Sequence, residues 1–351
     1  MKKVNLGFAL LTVAAVFVLG CKKPTANVEP VADTETQSAI DAAWATYVIS
    51  DIDQVCGFIG ENNFLSHFYV NVPGTQTVTG IRDIDNKNLV MGWNKTMCVD
   101  GRLRDGSIFM GYKLDSISNP NTNLNSVYYR EYGFVGRITF SEYKIDGWRV
   151  TLFDPAAPAY VYNKITTPQY DPSKVKLTWS IEGKFLLEHP SDPSRNIVWS
   201  GKLFKTLTNS TDPKIFAVTK QSAINWASPD PKLPRAIVSY HTVKGNVITG
   251  MTNGNVPFSM TIDEKTPLIR DFKCFPDQIA GVVPTNTPGV VTVMSEEHHP
   301  FISGIASFTT GTSYPRQVYF GNEGNPDIPG QCDITGTVLI KGNSYPINFR
   351  K

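Results

Sequence analysis

Three hydrophobic patterns follow one another along the chain. Residues 6–19 are apolar throughout except for Gly7 and Thr12. A run of that length suits the core of a secretory signal and is too short for a membrane-spanning helix. Next, Ile40, Trp44, Tyr47, Val48, Ile52 and Val55 recur at helical spacing. They predict one amphipathic helix over about 36–56, a stretch without Gly or Pro. Thr34 and Gln37 supply a capping box at its start. Its polar face carries aspartates rather than lysines, so it is expected to pack against the rest of the fold rather than lie on a membrane. Beyond the helix the period becomes two. Ile108, Met110, Tyr112 and Leu114 alternate with Phe109, Gly111 and Lys113, and Leu177, Trp179 and Ile181 alternate with polar neighbours. Val256, Phe258, Met260 and Ile262 repeat the pattern, which marks strands with one buried face. Asp146-Gly147, between "RITFSEYKI" and "WRVTLF", predicts a tight hairpin. Lys244-Gly245, Asn253-Gly254 and Gly342-Asn343 predict further turns. Strands at short spacing with no interleaved helices imply a mainly β fold of antiparallel sheets, sandwich-like and in two units, with one short N-terminal amphipathic helix.

The start of the chain fixes its expected address. Lys2 and Lys3 precede the apolar run, which ends Val18-Leu19-Gly20-Cys21. These residues resemble the lipobox of bacterial lipoproteins, with valine in place of the usual leucine three positions before the cysteine. The resemblance implies cleavage before Cys21 and acylation of its thiol. Several acyl chains on one cysteine would give the stable anchoring that a single chain does not. Residues 22–34, "KKPTANVEPVADT", have two prolines and no apolar period, and read as a tether. The expected organisation is a signal peptide at 1–20, a tether at 21–34, the helix with a first β unit at 35–165, and a second β unit at 166–351. The boundary falls in the proline-rich break ending "TTPQYDPSK".

Composition narrows the class. Removing residues 1–20 leaves 331 of the 351 residues, enough for real hydrophobic cores. The two signal lysines account for the whole formal charge of +2, so the mature chain is neutral. A neutral chain without a basic run argues against nucleic acid as a partner. The 27 glycines, 24 prolines and 11% aromatics fit many turns and many strands.

The search for chemistry is mostly negative. There is no Gly-x-Ser-x-Gly elbow, no phosphate-binding glycine pattern, and no His-Glu-x-x-His or paired Cys-x-x-Cys. "SEEHHPF" (295–301) places Glu296, Glu297, His298 and His299 in a row, but strand neighbours point to opposite faces, so it reads as a polar turn. "DIDNKN" (83–88) begins like a calcium loop, yet Lys87 stands where an oxygen ligand is needed, and a β-turn is the preferred reading. No metal or cofactor is expected. Glu182, Glu188 and Asp192 are the carboxylates available for glycoside hydrolysis, without a sequence signal that they converge. Trp93, Trp148, Trp179, Trp199 and Trp226 lie in or near β stretches and read as core rather than a sugar platform. With Cys21 taken by lipid, Cys56, Cys98, Cys274 and Cys332 remain. An oxidising compartment favours two disulfides, with three connectivities open, against four reduced thiols. Pairing within each part of the chain gives Cys56–Cys98 and Cys274–Cys332.

"CVDGRLRDGSIFMGY" (98–112), "GRITFSEYKIDGWRV" (136–150), "LTWSIEGKFLL" (177–187), "TPLIRDFKC" (266–274) and "QCDITGTVLIKGNSYPINF" (331–349) occur in that order. Together they resemble an uncharacterised lipoprotein family of Bacteroidetes. The resemblance spans most of 35–351 as scattered strand and turn signatures, and "FGNEGNPDIPGQC" departs from the family's usual approach to its last cysteine. It implies fold and address but no activity. In that phylum acidic residues after the lipidated cysteine favour surface export. Lys22-Lys23-Pro24 here imply a periplasm-facing outer-membrane location instead. The expected role is non-catalytic, binding an envelope protein or glycan or serving as structure. The rival reading is a carbohydrate-binding or glycan-active enzyme of the cell envelope.

Overall fold

The computed structural model describes residues 35–60, 78–83, 88–98, 102–111, 135–163, 178–208, 237–252, 255–271, 301–311, 314–321 and 335–348. The chain divides after residue 33, and all the described residues belong to the second unit, which runs from Thr34 to Lys351. That unit opens with one helix, α1 (Gln37–Gly60). Its first amides are satisfied locally: Ser38 N donates to the Glu35 carboxylate at 2.8 Å, and the Ala39 and Ile40 amides donate to Thr36 O at 3.1 Å. Thr34, expected as the cap, lies outside the described residues.

Sixteen strands follow among the described residues: β1 (Val78–Asp83), β2 (Asn88–Met97), β3 (Leu103–Gly111), β4 (Val135–Ile145), β5 (Trp148–Leu152), β6 (Ala159–Asn163), β7 (Thr178–Glu188) and β8 (Ile197–Leu207), then β9 (Ile237–His241), β10 (Ile248–Thr252), β11 (Val256–Ile262), β12 (Leu268–Asp271), β13 (Phe301–Thr310), β14 (Arg316–Phe320), β15 (Thr335–Ile340) and β16 (Asn343–Asn348). Every pairing is antiparallel, and one sheet contains them all. Among the described residues the fold is therefore mainly β with one α-helix ahead of the strands, as the alternation of apolar residues predicts.

The register simplifies the sheet further. β5 and β6 pair in turn with the same two neighbours, β4 and β7. They are two halves of one strand interrupted at residues 153–158. β9 with β10, and β11 with β12, are interrupted in the same way between β8 and β13. Counting each interrupted pair once, consecutive strands are neighbours throughout, which is an up-and-down meander. β7 pairs with β5, β6 and β8, so the sheet continues without a break across residue 165.

Turn chemistry sets the hairpins. Asp146 (φ 49°) and Gly147 (φ 86°) join β4 to β5 with two left-handed residues, the pattern of a type I′ turn. Asp146 also accepts from Arg102 Nη1 at 2.9 Å and from the Leu103 amide at 3.0 Å, so its side chain pins the turn to β3. Lys341 and Gly342 repeat the two-residue turn between β15 and β16, one position earlier than expected.

The core explains why the sheet curls. Ile108, Met110, Trp179, Ile181, Phe258, Met260 and Ile262 are buried, as their alternation predicts, while Val256 at the start of β11 is exposed. α1 touches β2, β7, β8, β10, β11 and β13, strands drawn from most of the sheet order. From Asp41 to Gly57 it has no exposed residue. The expectation gave the helix one packed face. The structure surrounds it, and distant strands face each other across it. A helix buried on every side normally lacks polar residues. This one carries aspartates, and they need partners.

Candidate functional site

The interior of the wrapped sheet holds a group of fully buried ionisable side chains. At about 100° per residue, Asp51, Tyr47, Gln54, Ser50 and Asp53 span one arc of α1, and Val48, Val55, Ile52 and Ile49 fill most of the other. Asp51 is fully buried and accepts from two guanidinium groups: Arg104 Nη2 at 2.9 Å and Arg270 Nη2 at 3.4 Å. Arg104 stands on β3 and Arg270 on β12, so one carboxylate joins two remote parts of the sheet. Two residues along the helix, Asp53 meets Lys205 Nζ of β8 at 2.6 Å. The Tyr240 hydroxyl of β9 reaches Ser50 O at 3.4 Å and Asp53 Oδ2 at 3.5 Å. At the helix start, Arg316 of β14 donates from Nε to Glu35 O at 3.1 Å and lies 3.6 Å from its carboxylate.

The strands place these cations by parity. Lys205 shares the inward side of β8 with Trp199, Leu203 and Leu207, all buried. Arg270 shares that of β12 with Leu268, and Arg316 shares that of β14 with Val318 and Phe320. Each is a basic residue in a slot the alternation reserves for an apolar one.

Burial shapes the protonation chemistry. It pulls the Lys205 ammonium below its ordinary value, and the adjacent Asp53 carboxylate opposes the shift. It pushes the Tyr240 and Tyr143 phenols well up, with nearby aspartates adding to the effect. The Cys56 thiol also goes up, through burial first and the Asp53 charge second. A thiol held protonated is a poor nucleophile. Buried pairs of this kind add little net stability, because desolvation offsets the Coulombic gain. Their directional hydrogen bonds do fix where the helix sits against each strand.

The residues singled out from sequence fall elsewhere. The expected Cys56–Cys98 bond is not formed. Cys56 sits on α1 beside Asp53 and Lys205. Cys98 closes the connection from β2 to β3: its amide donates to Arg102 O at 2.9 Å and its thiol to Thr96 O at 3.7 Å. The two sulfurs serve different neighbourhoods, which closeness in sequence does not reveal. Cys274 and Cys332 lie outside the described residues, as do Cys21, Glu296, Glu297, His298, His299, Lys87 and Trp226. Glu182 pairs with Lys202 at 2.9 Å and Glu188 with Arg149 at 3.2 Å. Six residues apart on β7, these two are about 20 Å from each other, against the roughly 5–10 Å that glycoside hydrolysis needs. Asp192 caps a short 3-10 helix at Pro193–Arg195, accepting from Ser194 N at 2.9 Å and Ser194 Oγ at 2.7 Å. Those bonds hold its carboxyl below the ordinary range. Trp93, Trp148, Trp179 and Trp199 are all buried.

Among the described residues no set of His, Cys, Asp and Glu converges as a metal site, and no helix is long and apolar enough to cross a membrane. No family model matches the sequence, and neither curated proteins nor solved structures give a match.

Proposed function

We propose that this chain is a lipid-anchored protein of the bacterial outer membrane, facing the periplasm, with a non-catalytic binding or structural role. The anchor rests on the lipobox resemblance at Val18–Cys21 and the family resemblance along the strands. The role rests on one observation: the charged side chains inside the sheet are engaged in holding α1, through Asp51 with Arg104 and Arg270 and Asp53 with Lys205. Side chains fixed by mutual ion pairs make a rigid body that presents its outer surface. The partner on that surface is an envelope protein or glycan, or the body itself is structural.

Mass analysis of the membrane-extracted protein should find an acylated Cys21 as its first residue, and Cys21→Ser should release the protein in soluble form. A mature chain starting elsewhere overturns the anchor. For the role, the purified protein is incubated with peptidoglycan and envelope polysaccharides. Unchanged substrates are expected. Fragments whose release is lost in Glu182→Gln or Glu188→Gln would replace the non-catalytic reading with a glycan-active one.

A further inference from the structure

The connections of an up-and-down meander alternate between its two ends, and here the ends are unlike. At the end where α1 begins, the connections 98–102, 146–147, 189–196, 253–255, 311–315 and 341–342 are two to eight residues long. At the opposite end, the connections 112–134, 164–177, 208–236, 272–300 and 321–334 are 14 to 29 residues long. Measured contacts tie three of the short turns to the helix start. Met251 pairs with Pro257 beside the β10–β11 turn, and Pro257 O accepts from the Gly311 amide of the β13–β14 turn at 3.1 Å. Tyr314 of that second turn accepts at its carbonyl from Arg316 Nη1 at 2.9 Å, and Arg316 Nε donates to Glu35 O at 3.1 Å. Lys341, in the β15–β16 turn, holds its Nζ 3.2 Å from the centroid of the Tyr314 ring. Tyr314 is 46% exposed, Met251 45% and Val256 37%. Gly311 and Gly342 stand in open space, where a Cβ would meet nothing within 4 Å. Apolar side chains are thus exposed on short, projecting turns beside the point where the chain enters α1.

We propose that this end of the sheet is a seat on the phospholipid bilayer that holds Cys21, with Tyr314, Met251 and Val256 in its interfacial layer and Lys341 at the lipid phosphates. The inference rests on the lipid-anchor reading above. The 13 residues 22–34 lead from the acylated cysteine straight to Glu35. A flexible chain of that length has a root-mean-square span of about 20 Å, shorter than the roughly 37 Å of an 11-residue strand such as β4. The bilayer therefore meets the short turns first, and the long connections face away from it. Tyrosine is at home at the level of the headgroups, and a lysine stem lies along apolar surface while its ammonium reaches the phosphates. Three half-exposed apolar side chains fall far short of the roughly 800 Å² per partner that a stable protein interface buries. A tethered contact needs much less, because the tether makes it intramolecular at a high effective concentration.

The protein purified from membranes is mixed with phosphatidylethanolamine–phosphatidylglycerol vesicles that carry a phospholipid with a photoactivatable headgroup. After illumination and proteolysis, lipid adducts are expected on Met251 with Val256, on Tyr314 and on Lys341. Adducts confined to residues 22–34, or as frequent on Asp263–Lys265 as on these turns, overturn the seat. Tyr314→Ser combined with Met251→Ser should lower the adduct yield at Lys341 at least threefold, with an unchanged melting temperature to show that the fold persists. An unchanged yield in the folded variant counts against the seat. The same digest reads the acyl group on Cys21, so the two readings fail separately. An acylated Cys21 without adducts on the turns keeps the anchor and removes the seat, and adducts without acylation do the reverse. A dimer in sedimentation that the double variant dissolves would assign these side chains to a second copy of the chain and overturn the lipid contact.

Discussion

Asp51 illustrates how much one side chain does in this molecule. Its two oxygens take a guanidinium each, from Arg104 and Arg270, with all three side chains fully buried. Replacing it with alanine would leave two arginines inside the sheet without that counter-charge. Arginine cannot shed its proton to escape the penalty. Breaking a buried pair from one side typically costs about 3–5 kcal/mol, a large share of the roughly 5–15 kcal/mol that holds a domain together. Asp51→Ala should therefore lower the unfolding free energy from urea titration sharply, whereas Glu182→Ala, which loses a partly exposed pair, should lower it by less than about 1 kcal/mol. Equal shifts would show that the interior pairs are not special. Cys56 gives a separate test at this scale. Burial keeps its thiol protonated, so iodoacetamide at pH 8 should leave it unmodified in the folded protein and alkylate it in urea. Rapid labelling of the native state, or a mapped peptide joining Cys56 to Cys98, would contradict the structure.

Among the elements, the interruptions in the strands matter as much as the strands. β4 carries a bulge: its register steps three residues, from Lys144 to Ser141, while β3 steps two, from Asp105 to Ser107, and there Gly106 (φ 78°) faces the left-handed Glu142. A Cβ at Gly106 would run into the backbone carbonyls of Glu142 and Ser141. At Gly245, which has φ 89°, it would meet nothing within 4 Å. Gly245→Ala should then cost only the strain of a left-handed alanine, about 1–2 kcal/mol. Gly106→Ala adds the collision and should cost clearly more in the same denaturation assay. Arg104 keeps the inward parity of Ile108 and Met110 across this point, so equal costs for the two variants would show that the β4 carbonyls give way without strain. The strands were legible in the sequence because each buries one face: Ile108 with Met110 and Phe258 with Met260 announce themselves by alternation. The helix was legible by spacing, and its aspartates were visible too. Their destination was not, because a polar helix face against water and one against buried arginines read alike. The missing half of the signal lay on other strands. Lys205 stands between Leu203 and Leu207, and Arg270 stands two residues after Leu268, each a cation in an inward slot. Matching such cations to helix carboxylates requires knowing which strands curl over the helix, and that is a property of the whole meander. The cysteines were unreadable for the same reason.

At the scale of the whole molecule, the buried groups make stability depend on alkaline pH in a direction that can be worked out. Cys56, Tyr143 and Tyr240 have ordinary values of 9.0, 10.0 and 10.0, and the fold raises all three. Above those values the unfolded chain gives up these protons while the folded protein keeps them. The folded state then binds more protons, and stability falls as pH rises. Lys205 acts the other way. Its folded value lies below the ordinary 10.5, so between the two the unfolded chain binds the extra proton and stability gains with pH. Past 10.5 lysine is neutral in both states and its counterweight is gone. The Lys205 gain therefore opposes the Cys56 loss above pH 9, the two tyrosines bring a net decline above pH 10, and the decline steepens beyond 10.5. Each unmatched proton contributes a slope of about 1.4 kcal/mol per pH unit. Urea titrations from pH 7 to 11 would trace the curve. Cys56→Ala should make the slope above pH 9 more positive and Tyr143→Phe should flatten the decline above pH 10, each by up to one proton's worth of slope. Stability that stays level to pH 11 would mean that these groups titrate in the folded protein as they do in the open chain. The interior of the sheet would then be wet, and the ion pairs that fix the helix would be far weaker than their burial implies.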